Sequence, residues 1–260
     1  MRHRACRTTL ALMLAFSLTG CSATRMNTAA EVRPWHSINE FRDQRFADVE
    51  DPWEGFNRNM YRFNFYLDRY LLIPVVNGYE YVTPTFVQER VSGIYNNLSE
   101  IRNLTNSIFQ LKGIESATTL GRFVTNSTVG LAGMFDPAAK FGLKRHDQDF
   151  GKTLGYWGTA SGPYLVLPVF GPSSVRDAGG LAFDTGLTYG VYSAVDPFAG
   201  TGHSTAIDSG VAALQTVDLR HQQGFRYYDS GYPFEYYMVR FLYHQSREIE
   251  TGKAPEAESP

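Results

Sequence analysis

The chain has 260 residues, a formal net charge of −2 and 43% hydrophobic residues. That is enough for one domain of ordinary size, and the charge balance excludes the basic footprint expected of a nucleic-acid binder. Aromatic residues reach 14%, with 16 Tyr and 18 Phe, a richness that suits either a well-stocked core or a surface lying between water and lipid.

Arg2, His3, Arg4 and Arg7 precede an apolar run from Leu10 to Leu18. The run is shorter than the about 20 apolar residues a bilayer-spanning helix needs, so residues 1–20 read as a secretory signal peptide. It ends Leu18-Thr19-Gly20-Cys21. This is the order of a bacterial lipobox: an aliphatic residue, two small residues, then a Cys that is lipidated as the chain is cut before it. Cysteine usage agrees. Cys6 would leave with the signal, and Cys21 would remain as a single thiol with no disulfide partner. Acylation removes a thiol that is awkward in an oxidising compartment, and two or more acyl chains anchor stably at roughly 0.8 kcal/mol per buried CH₂. Ser22 follows, where lipoproteins kept at the inner membrane often carry Asp. The expectation is a protein lipid-anchored to the outer membrane of a Gram-negative bacterium. Residues 21–50 would form a polar tether, residues 51–248 a helical domain and residues 249–260 a disordered tail.

Asp51-Pro52-Trp53-Glu54 predicts a helix start, with Asp51 as cap and Glu54 reaching back as in a capping box. Trp53, Phe56, Met60, Phe63, Leu67 and Tyr70 then recur at three- and four-residue spacing, which predicts one helical face. Tyr61, Phe65 and Leu72 widen that arc, so the helix is either sandwiched in a core or has one flank in lipid. Asn57, Arg58, Asn64 and Asp68 form its polar edges, and Pro74 predicts its end. A second helical pattern runs from Val87 to Leu111, with a break near Ser99. A third, from Gly113 to Gly133, is crowded with small residues such as Gly121, Ser127 and Gly130. Such residues allow close backbone approach in membrane bundles and in soluble ones alike. Asp136-Pro137 starts a short helix closed by Gly142. Asp149 caps another over Phe150 to Trp157, with Gly158 beyond.

Ser161 to Gly180 reads SGPYLVLPVFGPSSVRDAGG. Tyr164 to Phe170 is apolar enough for a buried strand, yet Pro163, Pro168 and Pro172 interrupt the stretch, and Pro is confined to edges in sheets. The prediction is an irregular joint leading into a helix that begins near Pro172 or Ser173. Ile207, Val211, Leu214 and Asp218 outline a further helix. Tyr236, Val239 and Tyr243 mark the last, from about Pro233 to Glu248. After the signal peptide no run reaches transmembrane length, and no series of alternating strands predicts a barrel. The fold class read from these patterns is all-α, a single domain of packed amphipathic helices.

Chemistry is sparse. The chain has no G-x-S-x-G elbow, H-E-x-x-H motif or Walker loop. Gly200 to Thr205 sets a Ser beside a His, but triads are assembled from distant positions, so this reads as a turn. His146 reads as part of a solvated loop. Gly171-Pro172-Ser173-Ser174 precedes a helix start, where anions are favoured, but no Lys follows as in a phosphate loop. That argues against nucleotide and leaves contact with a lipid phosphate open. No catalytic residue, metal ligand or cofactor is predicted.

Three blocks occur in order: Asp51 to Arg58 with Tyr61, Phe63 and Asn64; Phe150 to Gly158; and Gly162 to Pro168 with Phe170 to Ser173, Arg176 and Asp177. Together with the lipobox they resemble the MlaA/VacJ family of outer-membrane lipoproteins, over about Asp51 to Tyr243. Near the C-terminus the match is partial: Phe234 and Glu235 stand where the family usually has Asp-Pro. The resemblance implies a helical ring in the outer membrane without a spanning helix. Through its amphipathic channel, phospholipids mislocalised to the outer leaflet would reach a periplasmic lipid carrier of the Mla pathway. It implies trimeric porin as a partner and no reaction on the lipid. The candidates for shaping or gating the channel are Phe56, Asn57, Tyr61, Phe63 and Asn64 in the first helix. In the proline-interrupted segment they are Pro163, Tyr164, Leu167, Pro168, Phe170, Arg176 and Asp177, with Cys21 as the lipid attachment. Two other classes remain: a porin scaffold without transport activity, and a membrane-surface lipid hydrolase, for which no nucleophile–base pair can be assembled.

Overall fold

A computed structural model describes residues 49–195, 204–229 and 234–252. The expected signal peptide, Cys21, most of the expected tether, the turn expected at 200–203 and the tail expected from 253 fall outside the described residues. Of the two units into which the chain divides, residues 41–260 contain everything described here.

Helix α1 spans Glu54–Leu67. Its first residues do not form the expected cap. Trp53 stands at the cap position without a side-chain bond. The Asp51 carboxylate instead accepts from Asn57 Nδ2 at 2.7 Å, Tyr236 OH at 2.5 Å and Arg240 Nη1 at 3.1 Å. A cationic partner and a phenol outcompete a free backbone amide, because hydrogen bonds between charged groups are the stronger ones. Nor does the helix stop before Pro74. It passes through a π-turn, Asp68–Leu72, into α2, Ile73–Val82. In a regular helix a proline ring clashes with the carbonyl four residues back. Here that carbonyl, of Tyr70, lies in the widened turn, which lets the chain continue.

Helix α3, Thr85–Phe109, runs unbroken past Ser99, whose hydroxyl donates to the Asn96 carbonyl at 2.7 Å. Helix α4, Gly113–Thr128, ends earlier than its small-residue pattern predicts, followed by a left-handed turn through Leu131, Ala132 and Gly133. At Gly133 a Cβ would lie 2.3 Å from Asn97 Cβ, so α3 and this turn meet backbone to backbone. Helices α5, Pro137–Lys140, and α6, Phe150–Tyr156, start as predicted. Asp136 accepts from Ala139 N–H at 2.9 Å and Asp149 from Lys152 N–H at 2.8 Å. Helices α7, Val175–Val195, α8, Ser204–Gln222, and α9, Glu235–Glu250, complete the set. None of the described helices is long and apolar enough to cross a membrane.

The proline-interrupted stretch corrects the expectation of an irregular joint. It is an antiparallel hairpin within the helical fold, β1 Tyr164–Leu167 and β2 Gly171–Ser174, pairing Val166 with Pro172. The Val166 N–H points away from β2, toward Asn57 Oδ1 at 2.8 Å. The residue opposite therefore needs no inward N–H, and Pro172 has none to offer.

Burial departs further from expectation. Among the described residues, polar and charged side chains outnumber apolar ones in the interior. On α1 the buried stripe is Asn57, Tyr61, Asn64 and, in the π-turn, Asp68, whereas Phe56 and Phe63 stay 49% and 45% exposed and Tyr70 is 70% exposed. The small apolar core is Val49, Tyr61, Tyr164, Val166 and Tyr236. Rings of Tyr227, Tyr228 and Tyr236 stand edge-on to Tyr61 at 4.9, 5.3 and 5.7 Å.

Candidate functional site

The site begins with two asparagines. Asn57 and Asn64 lie seven residues apart, on one face of α1 and about 10 Å apart along its axis. Three residues of extended strand cover nearly the same distance. Asn57 Nδ2 donates to the Tyr164 carbonyl at 3.0 Å while its Oδ1 accepts from Val166 N–H at 2.8 Å. Asn64 Nδ2 donates to the Leu167 carbonyl at 2.9 Å and its Oδ1 accepts from Val169 N–H at 2.7 Å. Each carboxamide offers β1 the donor and acceptor of a neighbouring strand. The hairpin is thereby set along α1, with its tip, Pro168, Val169 and Phe170, exposed.

That tip walls a cavity of about 700 Å³ shared with the end of α1, α8 and α9. Leu67, Leu72, Phe170, Leu219 and Leu242 make its lining apolar, and Asn64, Tyr227 and Tyr243 add polar edges. Asp68 and Arg220 are the only acidic and basic residues in this lining. They neutralise each other in a two-point bridge, Nε to Oδ1 at 2.5 Å and Nη2 to Oδ2 at 2.9 Å. The remaining Arg220 donors meet the carbonyls of Gln223 and Phe225. Such a space accepts apolar chains along a polar track and offers no unpaired charge.

A buried network stands behind Tyr243. Asp177 accepts from Arg176 Nε and Arg247 Nε, each at 2.9 Å, and from Tyr243 OH at 2.5 Å. Arg247 continues to Asp149 at 2.7 Å, tying α9 to the start of α6. Burial alone would raise the pKa of Asp177, but the bonds from Arg247 and Arg176 outweigh it and hold the carboxyl at about 2. Asp149 is also lowered: burial acts against the shift and Arg247 overrides it. Helices α6 and α7 approach closely here, since a Cβ on Gly180 would lie 2.3 Å from Gly151 N.

The sequence-predicted residues divide accordingly. Asn64 and Phe170 line the cavity. Asn57, Tyr61 and Tyr164 lie in the buried junction of α1, the hairpin and α9, where Tyr61 OH donates to Glu235 Oε1 at 2.6 Å. Leu167 serves through its carbonyl, and the Pro163 carbonyl accepts from Val175 N–H at 3.2 Å as α7 begins. Pro168 stands at the exposed tip. Arg176 and Asp177 belong to the network behind the wall. Phe56 lines a separate apolar groove of about 450 Å³ with Trp53, Leu165 and Val175. Phe63 faces outward, and Cys21 lies outside the described residues. Sequence reasoning missed the roles of Arg220 and Tyr227. Asp68 carried a signal, one turn beyond Asn64 on the polar edge, whereas its partner lies 152 residues away.

A family model described as MlaA lipoprotein matches residues 49–250. An uncharacterised protein of Rickettsia typhi is 39% identical over 130 residues, 50% of this chain and 52% of that protein. The chain thus spans about half the length of the first curated relatives it matches. The Haemophilus influenzae protein named intermembrane phospholipid transport system lipoprotein MlaA is 29% identical over 217 residues, 82% of this chain and 80% of that protein. A solved structure, from work on the structural basis for maintenance of bacterial outer membrane lipid asymmetry, superposes with a TM-score of 0.59 at 28% identity. It covers 78% of this chain and 99% of that one.

Proposed function

Since the chain belongs to the MlaA lipoprotein family, we propose that it is an outer-membrane lipoprotein that moves phospholipids between membranes. It removes mislocalised phospholipids from the outer leaflet and passes them to a periplasmic lipid carrier, beside a trimeric porin. Cys21 is its lipid attachment after removal of residues 1–20, and residues 21–50 are the tether. It acts as a conduit and leaves the lipid chemically unchanged.

The observation that carries this reading is the cavity under the hairpin tip, whose apolar lining holds one self-neutralised ion pair. A phospholipid carries apolar chains past polar groups, and an unpaired buried charge would arrest it. The outward apolar side chains agree. Exposed patches of this kind mark contact with lipid or another protein, and an interior richer in polar than in apolar side chains is the reverse of the usual pattern in water. Asn64, Phe170 and the hairpin tip shape the passage, and Asn57, Tyr61 and Tyr164 position them.

The test is deletion of the gene in its own bacterium followed by labelling of surface-exposed phospholipid, with complementation by wild type and by Leu219→Trp. Leu219 lines the cavity and is half exposed, so the larger ring fills the space without entering the core. Outer-leaflet phospholipid should rise on deletion, return to normal with wild type and stay high with Leu219→Trp. Unchanged labelling on deletion would overturn the reading, and full rescue by Leu219→Trp would exclude this cavity as the passage.

A further inference from the structure

The last turns of α8 have two working faces. Arg220 looks into the cavity under the hairpin, and Gln222, about 200° further round the helix, looks into a second one. This second cavity, about 810 Å³, runs along the polar face of α3 and is closed by the segment that follows α4. Its chemistry differs from that of the first. Four of its lining side chains are cationic (Arg90, Arg122, Lys144 and Arg145), and three are anionic (Glu89, Glu100 and Asp136).

The four cations differ in what they have left to offer. Arg122 is fully engaged, with Glu100 and Asp136 both at 2.9 Å and the Leu143 carbonyl at 2.7 Å. Arg145 is partly engaged: Nε meets Asp147 at 2.7 Å and Nη2 meets Ser99 at 2.9 Å. Arg90 lies between the rings of Phe86 and Phe135, 4.7 and 4.5 Å from their centres, bonded to Glu89 and the Met134 carbonyl. Its Nε is buried without an acceptor. Lys144 is exposed and has no hydrogen bond or ion pair among the described residues. An anion entering the first cavity would find the Arg220 charge already paired with Asp68 and each of its nitrogens bonded. In the second it meets Lys144, the remainder of Arg145 and, about 13 Å along α3, Arg90.

We propose that this second cavity binds the phosphate ester of a lipid head group, with Lys144 and Arg145 as its principal contacts. The inference rests on the lipid-transport reading and divides the molecule's work. The hairpin cavity suits apolar chains and the α3 cavity a phosphate ester, as separate sites on opposite sides of α8.

The test uses the purified full chain in detergent and three probes: dihexanoylphosphatidylglycerol, dihexanoylglycerol without phosphate, and sn-glycerol 3-phosphate without chains. Calorimetric titration should show the phosphatidylglycerol weakened about tenfold in Lys144→Gln/Arg145→Gln and retained in Lys144→Arg, with dihexanoylglycerol unaffected throughout. Lys144→Glu alone should weaken it further, and this exposed residue has no partner whose loss would unfold the chain. Leu219→Trp should weaken dihexanoylglycerol instead. Wild-type affinity for phosphatidylglycerol in the double variant and in Lys144→Glu would overturn the inference while leaving transport standing. Glycerol phosphate bound as tightly as the lipid would replace the lipid source with a soluble phosphate ester. If wild type bound neither lipid, the transport reading itself would fall.

Discussion

The junction of α1, the hairpin and α9 and the pairing of α3 with α4 are two answers to the same problem. At the junction, tyrosine rings fill the interior, and the hydroxyls of Tyr61 and Tyr236 end on the carboxylates of Glu235 and Asp51. Between α3 and α4 few rings are available. The interior there is Asn97, Glu100, Asn103 and Arg122, while Leu98, Ile108, Leu120 and Val124 face out. The first region gains stability in water from apolar burial. The second depends on the bonds of Arg122 to Glu100 and Asp136 inside and on a surrounding that tolerates apolar side chains outside. The two regions thus differ in what fills the interior, tyrosine rings at the junction and polar side chains along α3 and α4, while both turn apolar side chains outward, Phe56 and Phe63 on α1 as Leu98 and Leu120 on α3 and α4.

The largest test of this contrast is Arg122→Ala. It leaves Glu100 as a buried carboxylate without its cation, at a cost of about 3–5 kcal/mol, so folding yield in detergent and thermal midpoint should both collapse. Second is Asn57→Ala, which orphans Val166 N–H and the Tyr164 carbonyl. About 2–3 kcal/mol should be lost, with faster amide exchange concentrated in residues 164–174.

Third is acid. The folded pKa of Asp177, about 2, lies below its ordinary 3.8, so the unfolded chain takes up the proton first. Its contribution of about 2 kcal/mol is complete above about pH 4 and lost as pH falls toward 2. Acid titration of Asp177→Asn should show that limb flattened, leaving the part due to Asp149. The smallest effect should come from Leu120→Ser on the outer face of α4. Stability in detergent should move by less than about 0.5 kcal/mol, while partition into vesicles falls. A loss of several kcal/mol there would mean that Leu120 is packed against something, and the contrast between the regions would fail.

The caps of α5 and α6 were legible in the sequence because they depend on local chemistry, whereas the Asp51 cap was lost to partners 185 and 189 residues away. Asp136 and Asp149 each bond within three residues, and Gly158 takes the left-handed backbone at φ 96° that ends α6. The face of α1 was not legible. Phe56 and Phe63 repeat with helical period whether they face a core or a lipid, and reading them as buried assumes water outside. The hairpin was hidden for another reason. Pro172 argues against a strand unless its N–H is known to be superfluous, which depends on Asn57, more than a hundred residues earlier. Of the site, Asn64 and Phe170 were found through motif blocks. Arg220 was not, because nothing near it in the chain announces Asp68 as its partner.

The carboxamides of α1 have one more consequence, for the fate of the chain before it reaches its membrane. A strand with unpaired amides is a template on which another copy can add, and a short apolar sequence such as Tyr-Leu-Val-Leu is well suited to that error. In this molecule β1 is largely covered: Asn57 takes the Tyr164 carbonyl and Val166 N–H, Asn64 takes the Leu167 carbonyl, and the Tyr164 N–H donates to the Glu50 carbonyl at 3.1 Å. The seal comes from α1, which precedes the hairpin in the chain. In the folded chain the edge of β1 most prone to adding a second copy is covered by α1.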